Sequence, residues 1–271
     1  MSDQKRYSIS GITCKRLFHA INTRINEIPH TIAWNHSQSA RENKKRIADF
    51  EGIHKGKRCF ILANGPSLTR TNLDLLTNEI TFGLNRIYLH FKNSSFRPTY
   101  YVAVNELVLE QYSEEISALK MPKFINWNKR AYFNIHDPSC IFLKTRLVFR
   151  DDFSYDLSQP MVFGGTVTFT TLQLAYFMGF RQVVLVGLDH NYVEKGTPNT
   201  IEKRQLEFDR SHFHPEYFPK GSKWQLPDLV RSEVDYRIAR EYYEKDGREI
   251  IDATIDGKCT IFKKMQLETL F

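Results

Sequence analysis

The sequence lacks the features that mark secreted, membrane-spanning and metal-binding proteins. Its four cysteines lie far apart and form neither a CxxC pair nor a zinc-binding spacing, which is typical of a protein kept in a reducing compartment. The N-terminus has no apolar stretch of signal-peptide length, and no run approaches about eighteen uninterrupted apolar residues. We therefore predict a cytoplasmic protein without a membrane-spanning segment.

The two commonest nucleotide-binding signatures are also missing. There is no glycine-rich loop ending in Gly-Lys-Ser/Thr, and there is no GxGxxG fingerprint. Internal repeats and low-complexity tracts are absent as well. These absences argue against a P-loop kinase, a dinucleotide-dependent dehydrogenase and a repeat protein.

The composition is that of an ordered globular protein, with 41% hydrophobic and 25% charged residues over 271 positions. Its charge is unevenly distributed, because residues 1–58 hold twelve Lys or Arg against five Asp or Glu and so carry the whole excess of +7. We predict a basic helical arm and linker over residues 1–56, followed by a catalytic domain over residues 57–271.

The arm contains an amphipathic basic helix, predicted from Gly11 to about Ile28 and ended by Pro29. Residues 36–48 follow as a polar linker or short helix. Such an arm predicts contact with an anionic surface, and a peripheral site at the inner face of the membrane or a partner protein is favoured over nucleic acid. A solvated helix without a partner, or one docked on its own domain, remains an alternative.

Short apolar runs alternate with helical segments through the rest of the chain. Strands are predicted at 58–63, 79–85, 99–105, 122–127, 182–187 and 249–252, and helices at 72–78, 106–120, 166–179 and 232–246. The core of the run at 182–187 is continuously apolar, as in a central parallel strand that is covered on both faces. The fold class is therefore α/β, a Rossmann-like doubly wound and mainly parallel sheet.

Polar residues stand at the ends of four predicted strands: Asn64, Asn85, Asn105 and Asp189. One such residue is ordinary turn chemistry, but the carboxyl ends of parallel strands share one edge of the sheet, where ligands bind in open α/β folds. The four positions thus predict one polar rim.

Two glycine turns are candidate phosphate sites. Asn64-Gly65-Pro66-Ser67 follows the first buried strand, and its exposed N–H groups at a helix start would attract phosphate. Gly164-Gly165-Thr166 opens a second helix with little side-chain obstruction. The alternative for the second turn is a close helix-packing point.

A polar and aromatic loop over residues 209–219 has the composition of a lid or binding loop. It carries His212 and His214, either of which is a candidate general base near neutral pH. A metal site formed by His190, His212 and His214 is a weaker alternative, because their spacing alone does not support it.

These motifs together resemble the MptE-like family. The resemblance rests on Ala63-Asn64-Gly65-Pro66-Ser67-Leu68, on the strands that end at Asn85 and Asn105, on Gly164-Gly165-Thr166, and on the stretch from Val183 to Tyr192. It covers roughly residues 57–252. That family groups archaeal 6-hydroxymethylpterin diphosphokinases with bacterial proteins of polysaccharide gene clusters and motility-associated flagellin glycosyltransferases. The order of motifs is also similar to that of bacterial lipooligosaccharide sialyltransferases, which use CMP-activated sialic acid.

The resemblance implies roles for particular residues. Asn64, Gly65, Pro66 and Ser67 would face the donor phosphates and ribose, and Asn85 and Asn105 would contact the nucleotide. His212 or His214 would deprotonate the acceptor hydroxyl. The residues suggested to hold the leaving phosphate are Tyr192 and Tyr217, and the spacing around Gly164-Gly165-Thr166 departs from the sialyltransferase pattern.

The leading hypothesis is a glycosyltransferase that passes a sugar from a nucleotide-activated donor, such as CMP-sialic acid or a related nonulosonate, to a glycan acceptor without a cofactor. The second is diphosphate transfer from ATP to a 6-hydroxymethylpterin, which requires Mg²⁺ and makes Asp189 a candidate ligand. The third is a non-catalytic interaction protein that retains the fold. The sequence leaves the oligomeric state open.

Overall fold

The computed structural model describes residues 14–146 and 151–271. The described residues divide into two compact units, with the boundary between Glu42 and Asn43. The second unit begins before residue 57, the predicted start of the catalytic domain. This earlier start follows from the contacts of Asn43, the first residue of the unit. The Asn43 side chain donates to the carbonyl of Phe142 and accepts from the N–H of Phe142, both at 2.8 Å. Residues 43–56 thus belong with the α/β domain.

The first unit contains helix α1 (Cys14–His36), and the boundary between the units falls within α2 (Gln38–Ala48). Pro29 lies inside α1, so the predicted helix end at this proline is wrong, although proline removes one backbone hydrogen bond there. Ile25, Ile28 and Ile32 are exposed. The predicted start of the helix before Cys14, with the basic residues that precede it, lies outside the described residues. No helix in the described part of the chain is long and apolar enough to cross a membrane.

The second unit is built on an eight-stranded parallel sheet in the order β12-β11-β8-β1-β2-β3-β4-β5. Its strands are β1 (Arg58–Leu62), β2 (Thr81–Leu84), β3 (Tyr100–Ala103), β4 (Lys123–Asn126), β5 (Cys140–Leu143), β8 (Gln182–Val186), β11 (Glu249–Asp252) and β12 (Lys263–Lys264). Two minor two-stranded sheets pair β6 (Thr145–Arg146) with β7 (Met161–Val162), and β9 (Ile201–Lys203) with β10 (Lys223–Gln225). The predicted α/β class is confirmed.

Four helices accompany this sheet: α3 (Glu106–Gln111), α4 (Ser113–Ser117), α5 (Val167–Phe177) and α6 (Leu229–Lys245). Helix α5 packs against β1, β2 and β3, and α6 packs against α5 and β11. Helix α5 is buried on nearly all sides and is therefore not amphipathic, and its Thr and Gln side chains are buried together with its apolar ones.

The order of the strands changes direction in the middle of the sheet. From β1 the chain proceeds outward through β2 to β5, whereas β8 lies on the other side of β1 and leads to β11 and β12. The register pairs Phe60 with Val184 and Leu62 with Val186, all fully buried. Parallel sheets leave a crevice outside the carboxyl ends of the strands at such a switch point.

Several predicted helices are shorter or tighter than expected. The segment after β1 is a 3₁₀ turn, Pro66–Arg70, and the helix predicted over 72–78 is a second one, Leu73–Leu76. The helix predicted over 106–120 is interrupted at Tyr112, which separates α3 from α4.

Candidate functional site

A crevice of about 210 Å³ opens at the switch point between β1 and β8. Its floor is formed by the residues that follow four neighbouring strands, 63–65, 84–85, 104–105 and 187–192. Its walls come from the start of α5, the start of α6, and the segment that connects β8 to α6. The predicted polar rim thus exists as one surface, and the histidine-bearing loop contributes to it.

Two of the rim asparagines present unpaired acceptors. Asn64 donates its Nδ2 to the carbonyl of Leu84 at 2.9 Å, which fixes the orientation of the amide, and its buried Oδ1 has no partner among the described residues. Asn85 adopts a φ of 44°, and its buried Oδ1 also lacks a partner in the described part of the chain. A buried acceptor without a partner is costly unless a ligand supplies a donor.

The third rim asparagine has a structural task. The Oδ1 of Asn105 accepts the N–H of Val108 at 3.2 Å and so caps α3. Asn105 still lines the crevice, but its acceptor is already used. The three asparagines that look equivalent in the sequence therefore differ in what they offer a ligand.

The turn after β1 does not offer its N–H groups to a ligand. Ser67 donates its backbone N–H to Asp189 Oδ1 at 3.0 Å and its hydroxyl to Asp189 Oδ2 at 2.6 Å. A Cβ at Gly65 would lie 1.9 Å from that Oδ2, so glycine is required here because the carboxylate approaches closely, and not because of its φ of −69°. The phosphate expected at this turn meets the protein's own carboxylate instead.

This arrangement changes the interpretation of Pro66, Ser67 and Asp189, which were predicted as site residues. Asn64, Gly65 and Asp189 line the crevice, whereas Pro66 and Ser67 do not, and Ser67 is buried. Burial raises the pKa of Asp189, and the hydrogen bonds from Ser67 oppose that rise. Within the protein, Asp189 braces the turn after β1.

The second glycine turn packs tightly against α6. Gly165 donates its N–H to Asp235 Oδ2 at 2.6 Å, and the same Asp235 carboxylate pairs with Arg231 through Oδ1 at 2.5 Å. A Cβ on Gly164 would lie 2.7 Å from Asp235 Oδ2, and one on Gly165 would lie 2.9 Å from Arg231 Cγ. The glycine pair is thus a close packing point, as the alternative interpretation expected, and it also fixes where α5 begins.

The N-terminus of α5 opens on the crevice. Thr166 caps the helix by accepting the N–H of Thr168 at 3.2 Å, and the N–H of Val167 has no acceptor among the described residues. All three residues line the crevice. With eleven residues behind it, this terminus carries the positive end of a helix dipole. It is the better placed of the two predicted phosphate sites.

His212 lies in the crevice wall and is held by a buried carboxylate. Its Nδ1 lies 3.0 Å from Asp209 Oδ2, while Asp209 Oδ1 accepts the N–H of Ser211 at 2.9 Å and contacts Arg204 Nη2 at 3.3 Å. Burial opposes ionisation of Asp209, but His212, Arg204 and the Ser211 N–H outweigh it and lower its pKa. An ionised Asp209 keeps the proton of the neutral ring on Nδ1, which leaves Nε2 as the acceptor.

Aromatic stacking fixes the His212 ring. It lies parallel to Tyr217, with ring centroids 4.0 Å apart, and Phe218 meets it edge-on at 5.4 Å. The Tyr217 hydroxyl accepts the N–H of Arg86 at 3.3 Å, so the group predicted to hold the leaving phosphate already has a protein partner. Burial raises the pKa of this hydroxyl.

Two further contacts attach the loop to the sheet. The buried Arg86 guanidinium donates to the carbonyls of Glu216, at 2.8 Å, and of Tyr217. The N–H of Phe213 donates to the carbonyl of Asn64 at 2.9 Å. His212 is therefore tied to the same strand ends that carry the rim asparagines.

His214 does not line the crevice. Its Nδ1 accepts the N–H of Glu216 at 3.1 Å within the loop, and partial burial lowers its pKa. The alternative metal set that included His214 does not form, since the described residues contain no group of three or more His, Cys, Asp or Glu positioned to hold a metal ion. The loop thus brings one of its two histidines to the site.

The remaining lining residues differ in how well the sequence indicated them. Tyr192 is half-buried in the crevice, and burial raises its pKa to about 12. Ser232 and Tyr236 line the crevice from α6 and were not predicted, although their spacing of four residues places them on one helical face. Trp224 lies on β10, and nothing in its local sequence indicated a site residue.

Comparisons with known proteins identify one family and one related structure. A family model described as "6-hydroxymethylpterin diphosphokinase MptE-like" matches residues 34–195. The solved structure of MAf glycosyltransferase from Magnetospirillum magneticum AMB-1 aligns with 14% sequence identity and a TM-score of 0.49, and the alignment covers 85% of this chain and 39% of that one. The chain thus spans well under half the length of that protein. None of the curated proteins searched matches it. The matched range ends before His212.

Proposed function

We propose that this chain, which belongs to the 6-hydroxymethylpterin diphosphokinase MptE-like family, is a transferase that binds a nucleotide-activated sugar in the crevice and passes the sugar to a glycan hydroxyl. The observation that carries the proposal is the meeting of three features in one crevice. These are the His212–Asp209 pair, the open N-terminus of α5 and the unpaired acceptors of the strand ends.

His212 supplies the base in this proposal. With Nδ1–H directed to Asp209, the Nε2 lone pair accepts the proton of the acceptor hydroxyl as its oxygen attacks the anomeric carbon. Asp209 orients the ring and balances the imidazolium that forms. The stack on Tyr217 restricts the ring to one orientation, so little reorganisation is needed when the proton moves.

The donor phosphate is assigned to the start of α5. Thr166 and Val167 offer a hydroxyl and a backbone N–H there, and the helix dipole favours the charge that develops on the leaving phosphate. The unpaired Oδ1 atoms of Asn64 and Asn85 would accept hydrogen bonds from ribose hydroxyls or from a base amino group.

The character of the lining supports a singly charged donor phosphate. Among the described residues, the lining consists of aliphatic and aromatic side chains, amides, hydroxyls, imidazoles and backbone groups, and it contains two carboxylates, Asp189 and Asp228, but no Lys or Arg. A phosphodiester such as that of a CMP-linked sugar carries one negative charge, whereas ATP brings several. We therefore favour a CMP-activated sugar, such as a nonulosonate, as the donor.

The test is a screen of CMP-, UDP-, GDP- and ADP-linked sugars with oligosaccharide acceptors, in which nucleoside phosphate release is measured. We expect turnover with at least one donor, and a fall in kcat of about 10²–10⁴-fold in His212→Asn, the range typical of a lost general base. The matched variant His214→Asn should keep activity, because His214 lies outside the crevice lining. Failure of every donor to bind or react would refute the proposal.

Diphosphate transfer from ATP to a pterin alcohol is the second candidate, favoured by the description of the family. It needs Mg²⁺, which is usually bound by one or two carboxylates and the phosphates. Here both oxygens of Asp189 accept from Ser67, and those of Asp228 accept from Arg231 and Asn199, so the crevice carboxylates do not fit the role of free ligands. Thermal stabilisation by ATP with Mg²⁺, but not by CMP, would favour this candidate.

A further inference from the structure

The crevice holds a second histidine paired with a carboxylate. His190 follows β8 and lines the crevice, and its Nε2 lies 3.3 Å from Oε1 of Glu233 on α6. The other carboxylate oxygen, Oε2, accepts from Arg237 at 3.2 Å, so the carboxylate is held from both sides. Since Nε2 is directed to Glu233, Nδ1 is the ring atom left for a ligand.

The backbone of His190 is held in an unusual conformation. Its φ of 53° lies in the left-handed region, which few residues other than glycine adopt, although histidine, asparagine and aspartate are found there more often than the rest. Hydrogen bonds fix the chain on its N-terminal side: Leu188 donates to Thr254 Oγ1 and Asp189 accepts from the N–H of Lys258, both at 2.9 Å. Strained residues that the surrounding structure holds in place cluster at functional sites.

His190 and His212 have different neighbours, and those of His190 lie near the start of α5. The ring centroid of His190 lies 6.0 Å from that of Tyr236, whose hydroxyl lies near the side chains of Thr166 and Thr168 at the helix cap. His212, in contrast, stacks on Tyr217 in the opposite loop. The two histidine–carboxylate pairs therefore contact different residues of the crevice lining.

We propose that His190 is a catalytic residue that donates a proton to the departing phosphate, with Glu233 as its positioning residue; this rests on the proposed function. In the step, His212 Nε2 takes the proton of the acceptor hydroxyl, the acceptor oxygen bonds to the anomeric carbon, and the bond from that carbon to the phosphate oxygen breaks. The electron pair stays on that oxygen, which receives a proton from Nδ1 of the His190 imidazolium. Proton exchange with solvent then returns His212 to its neutral form and His190 to its imidazolium form.

The pH dependence of kcat/KM is influenced by the charged groups around His190. Glu233 and, behind it, Arg237 face it from α6, and Asp189 precedes it in the chain with its carboxylate engaged by Ser67. On the side of Tyr236, the neighbour is a buried phenol whose pKa is raised by burial.

The experiment compares pH profiles of kcat/KM for the wild type with those of His190→Asn, His212→Asn and Glu233→Gln. Asparagine tolerates the left-handed backbone, so His190→Asn removes the titrating ring with little change in chain conformation. Glu233→Gln provides a second variant on an accessible side chain. The matched controls are His136→Asn and Glu241→Gln, which alter exposed residues outside the crevice.

We expect a bell-shaped profile in the wild type. His190→Asn should lose the alkaline limb and about 10²-fold or more in kcat, the lower end of general acid catalysis. His212→Asn should lose the acidic limb, and Glu233→Gln should displace the alkaline limb with a smaller loss. An unchanged alkaline limb in His190→Asn, with activity within threefold of the wild type, would overturn the assignment of His190.

CMP binding, measured by calorimetry between pH 5.5 and 8.5, distinguishes a wrong assignment of His190 from a wrong proposed function. Tighter binding at low pH in the wild type, and no such dependence in His190→Asn, would support the inference. CMP binding whose pH dependence survives in His190→Asn would contradict it while leaving the donor site intact. Absence of nucleotide binding and turnover in the wild type would refute the proposed function itself.

Discussion

The close approach of Asp189 to Gly65 gives a prediction whose magnitude follows from the structure. In Gly65→Ala the new Cβ would lie 1.9 Å from Asp189 Oδ2, so the carboxylate must leave the turn and lose both hydrogen bonds from Ser67. Hydrogen bonds to a charged group contribute about 1.5–3 kcal/mol each. Because Asp189 is only half-buried and recovers water when displaced, we take the lower value and expect a coupling of about 3 kcal/mol.

The assay is a double-mutant cycle with Asp189→Ala, in which the free energy of unfolding is obtained from urea titrations. The Cβ of Gly65→Ala also approaches the carbonyl oxygen of Gly187 at 2.7 Å, and that cost is present in both backgrounds and cancels. The double variant should therefore be about 3 kcal/mol more stable than the sum of the single losses predicts. Additivity within about 0.5 kcal/mol would show that the carboxylate does not occupy the turn in solution.

Three further variants test the supports of the crevice. Asp209→Asn should remove part of the acid sensitivity of folding. Because the pKa of Asp209 is lowered in the folded state, its stabilisation is present above the unfolded value of about 3.9 and is lost as the pH falls through the folded-state value. Urea midpoints measured between pH 3 and 6 should show this loss in the wild type and not in the variant. Arg86→Met leaves the carbonyl of Tyr217 without its donor and should cost about 2–4 kcal/mol, with faster proteolysis in the 205–222 loop; equal cleavage rates would contradict the anchoring role. Asp235→Ala removes the acceptor of the Gly165 N–H and should cost about 3–5 kcal/mol in thermal unfolding, and a loss below about 1 kcal/mol would show that this buried pair does not hold the start of α5.

Much of the sheet is predictable because its signals are local. The run at 182–187 has a continuously apolar core and becomes the interior strand β8, and Asn64, Asn85 and Asn105 follow neighbouring strands as their sequence pattern indicates. Parallel topology then brings these ends to one rim without any further information.

The roles of individual site residues depend on contacts that are distant in the sequence. Asp189 lies 122 residues from Ser67, and no local pattern indicates that it fills the turn in place of a phosphate. The choice between His212 and His214 likewise depends on Asp209, Arg86 and the tertiary path of the loop. The sequence predicts a functional loop but does not select the histidine.

Helix lengths were the least predictable part of the fold. Pro29 is tolerated inside α1, where the rule for helix ends predicts a stop. The segments after β1 and β3 form shorter helices than their composition suggests, and the strand β5 is not predicted by the sequence pattern.

Hydrogen–deuterium exchange in the presence and absence of saturating CMP tests the central claim most directly. If CMP binds in the crevice, we expect slower exchange in the segments that line it, with the largest effect at the start of α5. These segments are residues 63–65, 84–85, 104–105, 164–168 and 187–192. Protection confined to other surfaces, or exchange unchanged at full occupancy, would contradict a nucleotide site at the carboxyl ends of these strands.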